Sequence, residues 1–152
     1  MKIRCLRRAK HVTVVSEHLR KKVQELVPEI SASVISMGVD TSKFGKKYFI
    51  PNYFGQGNKK VVLFVGRLAE KKGVTYLIEA MKDIDALLVI AGDGPLRSKL
   101  EKQAETIKEK VKFLGAKTHE ELIYIYASAD IFVAPSITAS DGDQEGVPTA
   151  IM

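Results

Sequence analysis

Cysteine is nearly absent: Cys5 is the only one in 152 residues. A single thiol excludes an internal disulfide and a cysteine-built metal cluster, and it fits a reducing, cytoplasmic setting. Long apolar runs are also missing. The longest, residues 61–65 (VVLFV) and 86–91 (ALLVIA), fall far short of the roughly 20 residues a membrane-spanning helix needs. Any membrane contact is therefore expected to be peripheral, at the inner face. Residues 2–10 carry Lys2, Arg4, Arg7, Arg8 and Lys10 with no long apolar stretch behind them, which is not the pattern of a secretory leader. His11, His18 and His119 lie far apart, without metal-ligand spacing, and no Ser-His-Asp or Cys-His arrangement stands in a suggestive setting. Neither a metal nor a cofactor is expected. No internal repeat and no low-complexity segment is found.

Charge is present in quantity. The 24 basic and 18 acidic residues leave a formal charge of +6, spread along the chain. A solvated, lysine-rich surface accounts for this, and attraction to an anion, whether a phosphorylated ligand, an acidic leaflet or nucleic acid, is the sharper alternative. Aromatic residues do not interleave with the basic ones, which argues against single-stranded nucleic acid.

The chain is organised around residues 61–73, VVLFVGRLAEKKG. A β-branched and aromatic run closed by glycine reads as a strand buried on both faces, as in a parallel sheet. Such strands end in loops along one common edge, where open α/β sheets bind ligands. Arg67 is the first charge beyond the strand, and Lys72 stands at the mouth of the next helix. Two permanent cations beside free backbone N–H groups suit an anion such as a diphosphate.

Elsewhere, residues 11–15 and 33–36 read as strands flanking a helix that Ser16 caps, with Leu19, Val23 and Leu26 on one face. The aperiodic stretch that follows predicts a linker over residues 46–58. Tyr76, Leu77, Ala80 and Met81 predict a helical face, residues 86–91 a second buried strand, and Pro95 the first turn of a long helix with Leu96, Leu100, Ala104 and Ile107 inward. Residues 111–114 form a strand ended by Gly115. Thr118 and Glu121 make a capping box ahead of Leu122, Ile125 and Tyr126, and residues 130–134 form the last strand. Strands alternating with helices indicate an α/β layer structure.

Four strand ends therefore carry Gly66-Arg67, Gly92-Asp93-Gly94, Gly115 and the loop reaching Glu145, along one edge of one sheet. Glycine ends strands for turn geometry alone, so the coincidence of all four is the argument for a cleft. Familiar nucleotide fingerprints fail: position 97 is Arg where a dinucleotide motif needs a small residue, and the segment from Gly66 to Lys72 lacks the second glycine and hydroxyl of a P-loop. Glu145 is the one carboxylate set after a strand and just before Pro148.

In this order, Gly66-Arg67-Leu68 with Lys72-Gly73, Gly92-Asp93-Gly94-Pro95, Val111-Lys112-Phe113-Leu114-Gly115 and Glu145-Gly146-Val147-Pro148 resemble the nucleotide-sugar domain of the retaining glycosyltransferases of family 4, which have the GT-B fold. Residues 9–16 and 34–40 resemble the end of that family's amino-terminal domain, with Ser36 and Met37 where Pro and Asn are usual and Lys10 where Asp is common. The resemblance implies a Rossmann-like parallel sheet with helices on both faces. It also implies an amino-terminal remnant over residues 1–45, a linker over 46–58 and a truncated donor-binding domain over 59–152.

The same resemblance assigns Arg67 and Lys72 to the diphosphate of a UDP-, GDP- or ADP-sugar. Gly66, Gly92, Asp93 and Gly94, with the backbone of Lys112, Phe113, Leu114 and Gly115, would line phosphate, base and ribose. Glu145 would hold the donor sugar as the first of a pair of glutamates spaced by seven. The sequence stops at Met152, before the second, so a fragment inactive by itself is expected, with a glycan or lipid carrier as acceptor of the whole enzyme and self-association through an exposed sheet edge. A non-catalytic basic module holding RNA or an acidic partner is the alternative, and it leaves the ordered glycine-terminated strands unexplained.

Overall fold

The computed structural model describes residues 2–146 and 148–152. The chain divides into two compact units, Met1–Val39 with Gly146–Ala150 and Met152, and Asp40–Glu145 with Ile151. In the first, helix α1 (Lys2–Arg8) precedes strand β1 (Val12–Val14), helix α2 (Glu17–Leu26) and strand β2 (Ala32–Val34). β1 and β2 run parallel, with Val12 opposite Ala32 and Val14 opposite Val34. Ser16 caps α2 by accepting the Leu19 N–H at 3.3 Å. No residue of α2 is buried, and Leu26 is 54% exposed, because two three-residue strands offer too little surface to cover its apolar face.

The second unit takes in the segment expected as a linker. Phe54 is 5% exposed in the core, the Tyr48 ring meets Tyr124 edge-on at 5.7 Å, and the Ile50 N–H donates to Ser128 Oγ. Thr41–Lys43 and Lys46–Tyr48 are single 3-10 turns, which is why the stretch shows neither strand nor helix periodicity.

Strands β3 (Lys60–Val65), β4 (Ala86–Ala91), β5 (Val111–Gly115) and β6 (Ile131–Phe132) form one parallel sheet in the order β5-β4-β3-β6. Alternation along β3 and β4 sorts their side chains. Val62, Phe64, Leu88 and Ile90 pack under helices α3 (Val74–Ala80) and α4 (Arg97–Ala104), while Val61, Leu63, Leu87 and Val89 pack under Phe54 and Ile125 of helix α5 (His119–Ala127). Helices thus cover both faces, as expected. Burying each such side chain contributes roughly 1.5–3 kcal/mol, against about 0–1 kcal/mol for exposed ion pairs such as Lys59–Asp85. The two central strands hold the unit together. Among the described residues no helix is long and apolar enough to cross a membrane.

Three helical details differ from expectation. The inward face of α3 is Val74, Leu77 and Ile78, continued by Met81, while Tyr76 is 61% exposed and Ala80 also faces solvent. The helix begins at Val74, and positions three, four and seven beyond it share a side. The helix expected to run through Ile107 ends at Ala104 and passes into a 3-10 segment, Glu105–Lys110, where Ile107 leaves helical geometry at φ −132° yet stays buried. Pro95 lies in the turn before α4 rather than in its first turn. β6 is shorter than expected, but Asp130 secures its start: the carboxylate accepts Val61 N–H at 2.9 Å and Lys60 Nζ at 2.7 Å, and the Lys60 bond in particular holds its pKa below the usual value.

The chain steps outward from β3 to β5 and then returns to the other side of β3. Strand order reverses between β3 and β6, where open α/β sheets form their ligand crevice.

Two outcomes are expected. Gly92 has φ +142°, and an added Cβ would lie 1.9 Å from Gly66 O; Gly92→Ala should lower unfolding stability in urea by more than about 2 kcal/mol, whereas Gly38→Ala, with nothing within 4 Å, should change it by less than about 0.5 kcal/mol. The capping box closes as predicted, with Thr118 Oγ1 accepting Glu121 N–H and Glu121 Oε2 accepting Thr118 N–H. The Lys117 hydrogen bond, with help from Thr118, draws the Glu121 pKa from 4.5 down to about 2. A carboxyl depressed on folding stabilises above its unfolded pKa and loses that contribution as pH falls through the folded one. Glu121→Gln should therefore flatten the acid limb of stability between about pH 4.5 and 2, read by denaturant titration across that range.

Candidate functional site

Beyond the strand ends the backbone keeps pairing. Gly66 N–H donates to Ala91 O, Gly92 N–H to Gly115 O, Leu68 N–H to Asp93 O and Leu96 N–H to Leu68 O, at 2.8 to 3.0 Å. Only glycine fits at 92, against Gly66 O, and a Cβ at Gly94 would lie 2.6 Å from Leu68 O. Gly66, Arg67, Gly92, Asp93, Gly94 and Gly115 are thereby brought to one edge of the sheet. Arg67 is exposed, and among the described residues its guanidinium makes no hydrogen bond or ion pair. Asp93 is engaged locally, accepting Gly94 N–H at 2.7 Å and pairing with Arg97 at 3.3 Å. Glu101 pairs with Arg97 at 2.8 Å and contributes most to raising the arginine's pKa.

The β5 residues divide. Lys112 pairs across from Val89, short of the sheet edge, and its ammonium donates to Phe54 O. Its side chain thus secures the 54 segment rather than the crevice. Phe113 packs toward α3 and α4 and Leu114 toward α5, so these two offer only backbone. The register slips between Ile90 and Ala91, leaving Leu114 as the extra residue of a bulge. Bulges bend strands where a site needs it, and here the slip sets Gly115 opposite Ala91.

Across the reversal, the loop after β6 is seated on the 3-10 turn Glu70–Lys72. Gly73, at φ +66°, lets Pro135 O approach to 1.9 Å from where a Cβ would stand. Ile137 N–H donates to Lys71 O at 2.9 Å. Three successive turn residues then grip three loop positions. Glu70 accepts both the N–H and the hydroxyl of Ser140 at 2.9 Å. Lys71 pairs with Asp143 at 2.9 Å and stands 3.7 Å from Glu145. Lys72 meets the other Glu145 oxygen at 2.6 Å. The Lys72 and Glu145 side chains are only 17% and 16% exposed, and Lys72 Cε lies 3.7 Å from where Gly66 would carry a Cβ. Hydrogen bonding to Asp143, foremost, raises the Lys71 pKa.

The exit of β3 and the loop after β6 carry an exposed guanidinium, a largely shielded ammonium and a carboxylate at the reversal of strand order. Such a set can hold a polyanion by one end and a hydroxyl-rich group by the other. Among the described residues no three His, Cys, Asp or Glu side chains are grouped to hold a metal ion. Sequence reasoning missed Glu70, Lys71, Ser140 and Asp143. Their signal was a charged triplet, Glu70-Lys71-Lys72, and a loop with acids at 141, 143 and 145, but nothing local says that the two meet.

Known proteins share this architecture. Residues 49–152 match the family Glycosyl transferases group 1. An uncharacterized glycosyltransferase of Methanocaldococcus jannaschii is 37% identical over 141 residues, covering 83% of this chain and 36% of the relative. A GDP-mannose-dependent alpha-mannosyltransferase of Corynebacterium glutamicum is 38% identical over 122 residues, covering 74% and 29% respectively. The chain thus spans about a third of the length of the curated relatives it matches. In fold, the crystal structure of Anabaena HepE in complex with UDP and glucose superposes with a TM-score of 0.73 at 22% identity, over 87% of this chain and 39% of that one. The Rossmann-like α/β architecture is therefore shared with known transferases, and the chain belongs to the group 1 glycosyl transferases.

Proposed function

We propose that this chain supplies the donor-binding half of a retaining glycosyltransferase, with a nucleoside diphosphate sugar lying along the crevice between β3 and β6. Arg67 and Lys72 bind the diphosphate. As the bond to the sugar breaks, negative charge grows on the departing phosphate, and two fixed cations stabilise it without reorganising. Glu145 accepts hydroxyls of the donor sugar and holds it for attack on the face that retains its configuration. Gly92, Asp93, Gly94 and the backbone from Lys112 to Gly115 border the ribose and base. The acceptor is a glycan or lipid carrier, and the reaction sits on the cytoplasmic side of a membrane.

The observation that carries this reading is the contact of Lys72 with Glu145, 73 residues apart, across the reversal of strand order. On this reading a phosphate-binding cation stands beside a sugar-binding carboxylate. The UDP and glucose held by HepE and the GDP-mannose named for the Corynebacterium relative support a nucleotide-sugar donor. They leave UDP, GDP and ADP as the nucleotides to try.

Calorimetric titration of the chain with each nucleotide is the test. One should bind, and Arg67→Ala or Lys72→Ala should each weaken it about ten- to a hundredfold, the loss of one charge-assisted contact of roughly 1.5–3 kcal/mol. A folded sample that binds none of the three, or binds one with indifference to both changes, would refute the assignment.

A further inference from the structure

On the donor reading the diphosphate needs the Lys72 ammonium, and that ammonium is already taken, with Glu145 Oε2 at 2.6 Å. We propose that Glu145 acts as the site's own anion: it competes with a diphosphate for Lys72 and so weakens the hold on a bare nucleoside diphosphate, the class of product that sugar transfer leaves behind. The proposal rests on the donor reading and gives Glu145 a role beyond contact with the sugar.

The competition falls to one acid. Of the four carboxylates carried by the turn and the loop, Glu70 gives both oxygens to Ser140, Asp141 accepts the Asp143 N–H at 2.9 Å, and Asp143 meets Lys71 at 2.9 Å. Only Glu145 reaches Lys72, and among the described residues no other group pairs with that ammonium. Arg67 is exposed and has no such partner among the same residues. An incoming diphosphate therefore meets one cation open and one closed.

Lys72 has little room to turn elsewhere, since its stem lies in the exit of β3 with Cε 3.7 Å from where Gly66 would carry a Cβ. The Lys72 and Glu145 side chains are 17% and 16% exposed, so water screens the pair less than on an open surface. A phosphate oxygen sharing the ammonium would stand beside the carboxylate, like charge against like. The diphosphate gains Lys72 fully only once Glu145 withdraws, and Lys71 Nζ, 3.7 Å from Glu145 Oε1, marks the side to which it can go. On the donor reading, hydroxyls of the sugar compensate the carboxylate for leaving, and a bare nucleoside diphosphate brings none. The loop itself stays seated without the pair, through Ile137 N–H on Lys71 O, the close approach of Pro135 to Gly73 and the Glu70–Ser140 contact.

The test is calorimetric titration of the chain with UDP, GDP and ADP at ~0.15 M salt, where exposed charges farther than about 8 Å from the ligand are largely screened. For the nucleotide that binds, Glu145→Gln keeps the shape of the side chain, removes its charge and should tighten binding about five- to twentyfold, as when Lys72 is free of the carboxylate for only about a fifth to a twentieth of the time. Asp141→Asn takes the same charge from the same loop, keeps its acceptor oxygen and should change binding by less than about twofold. Weaker or unchanged binding in Glu145→Gln would make the carboxylate a prop for Lys72, and equal tightening in both variants would make any acid of the loop equivalent. Either result overturns the proposal while leaving the donor reading intact. Failure of the unaltered chain to bind any of the three nucleotides removes both.

Discussion

Because β3 and β4 are covered on both faces, the sheet has no side on which chemistry could be placed. Val61 through Phe64 and all six residues of β4 are buried, and an uncompensated polar group among them would cost more than a typical ion pair returns. Reactive side chains are confined to where the chain leaves the sheet. Parallel pairing then decides that all the exits lie together, and the reversal of order between β3 and β6 decides where they part to admit a ligand.

The pairing at that opening is unusually economical in sequence. One turn, Glu70–Lys72, grips the loop after β6 with all three side chains, Glu70 at Ser140, Lys71 foremost at Asp143 and Lys72 at Glu145. Lys72 belongs at once to the sheet exit, through its stem beside Gly66, and to the loop, through its head on Glu145. A shift of the turn by one residue would exchange every partner. The left-handed backbone at Gly73 fixes that register, since no side chain could stand against Pro135 O.

Much of this was legible before any coordinates. The continuous apolar runs at 61–65 and 86–91 gave away buried parallel strands, and Thr118 with Glu121 gave the helix start, because those signals are local and depend on neighbours within a few positions. The glycine-terminated strand ends carried the edge. What escaped notice was set by tertiary contact: Tyr76 faces out because Gly73 fixes where α3 begins, Ile107 leaves the helix yet stays in the core, and Lys112 turns its ammonium to Phe54 O because the 54 segment packs there. The partnership of Lys71 with Asp143 spans 72 positions, and no periodicity reports such a distance.

The near-contact of Gly92 with Gly66 O has a bearing on how this architecture diversifies. With the exits of β3 and β4 fused at a spacing that tolerates no side chain, that wall of the crevice is closed to mutation. Under the proposed donor reading, novelty in which nucleotide or sugar is accepted has to arise opposite it, in the segment beyond Gly115 and in the strap between Pro135 and Glu145. Substitutions gathered there, around an unchanging glycine seam, are what the evolutionary record of this architecture should hold.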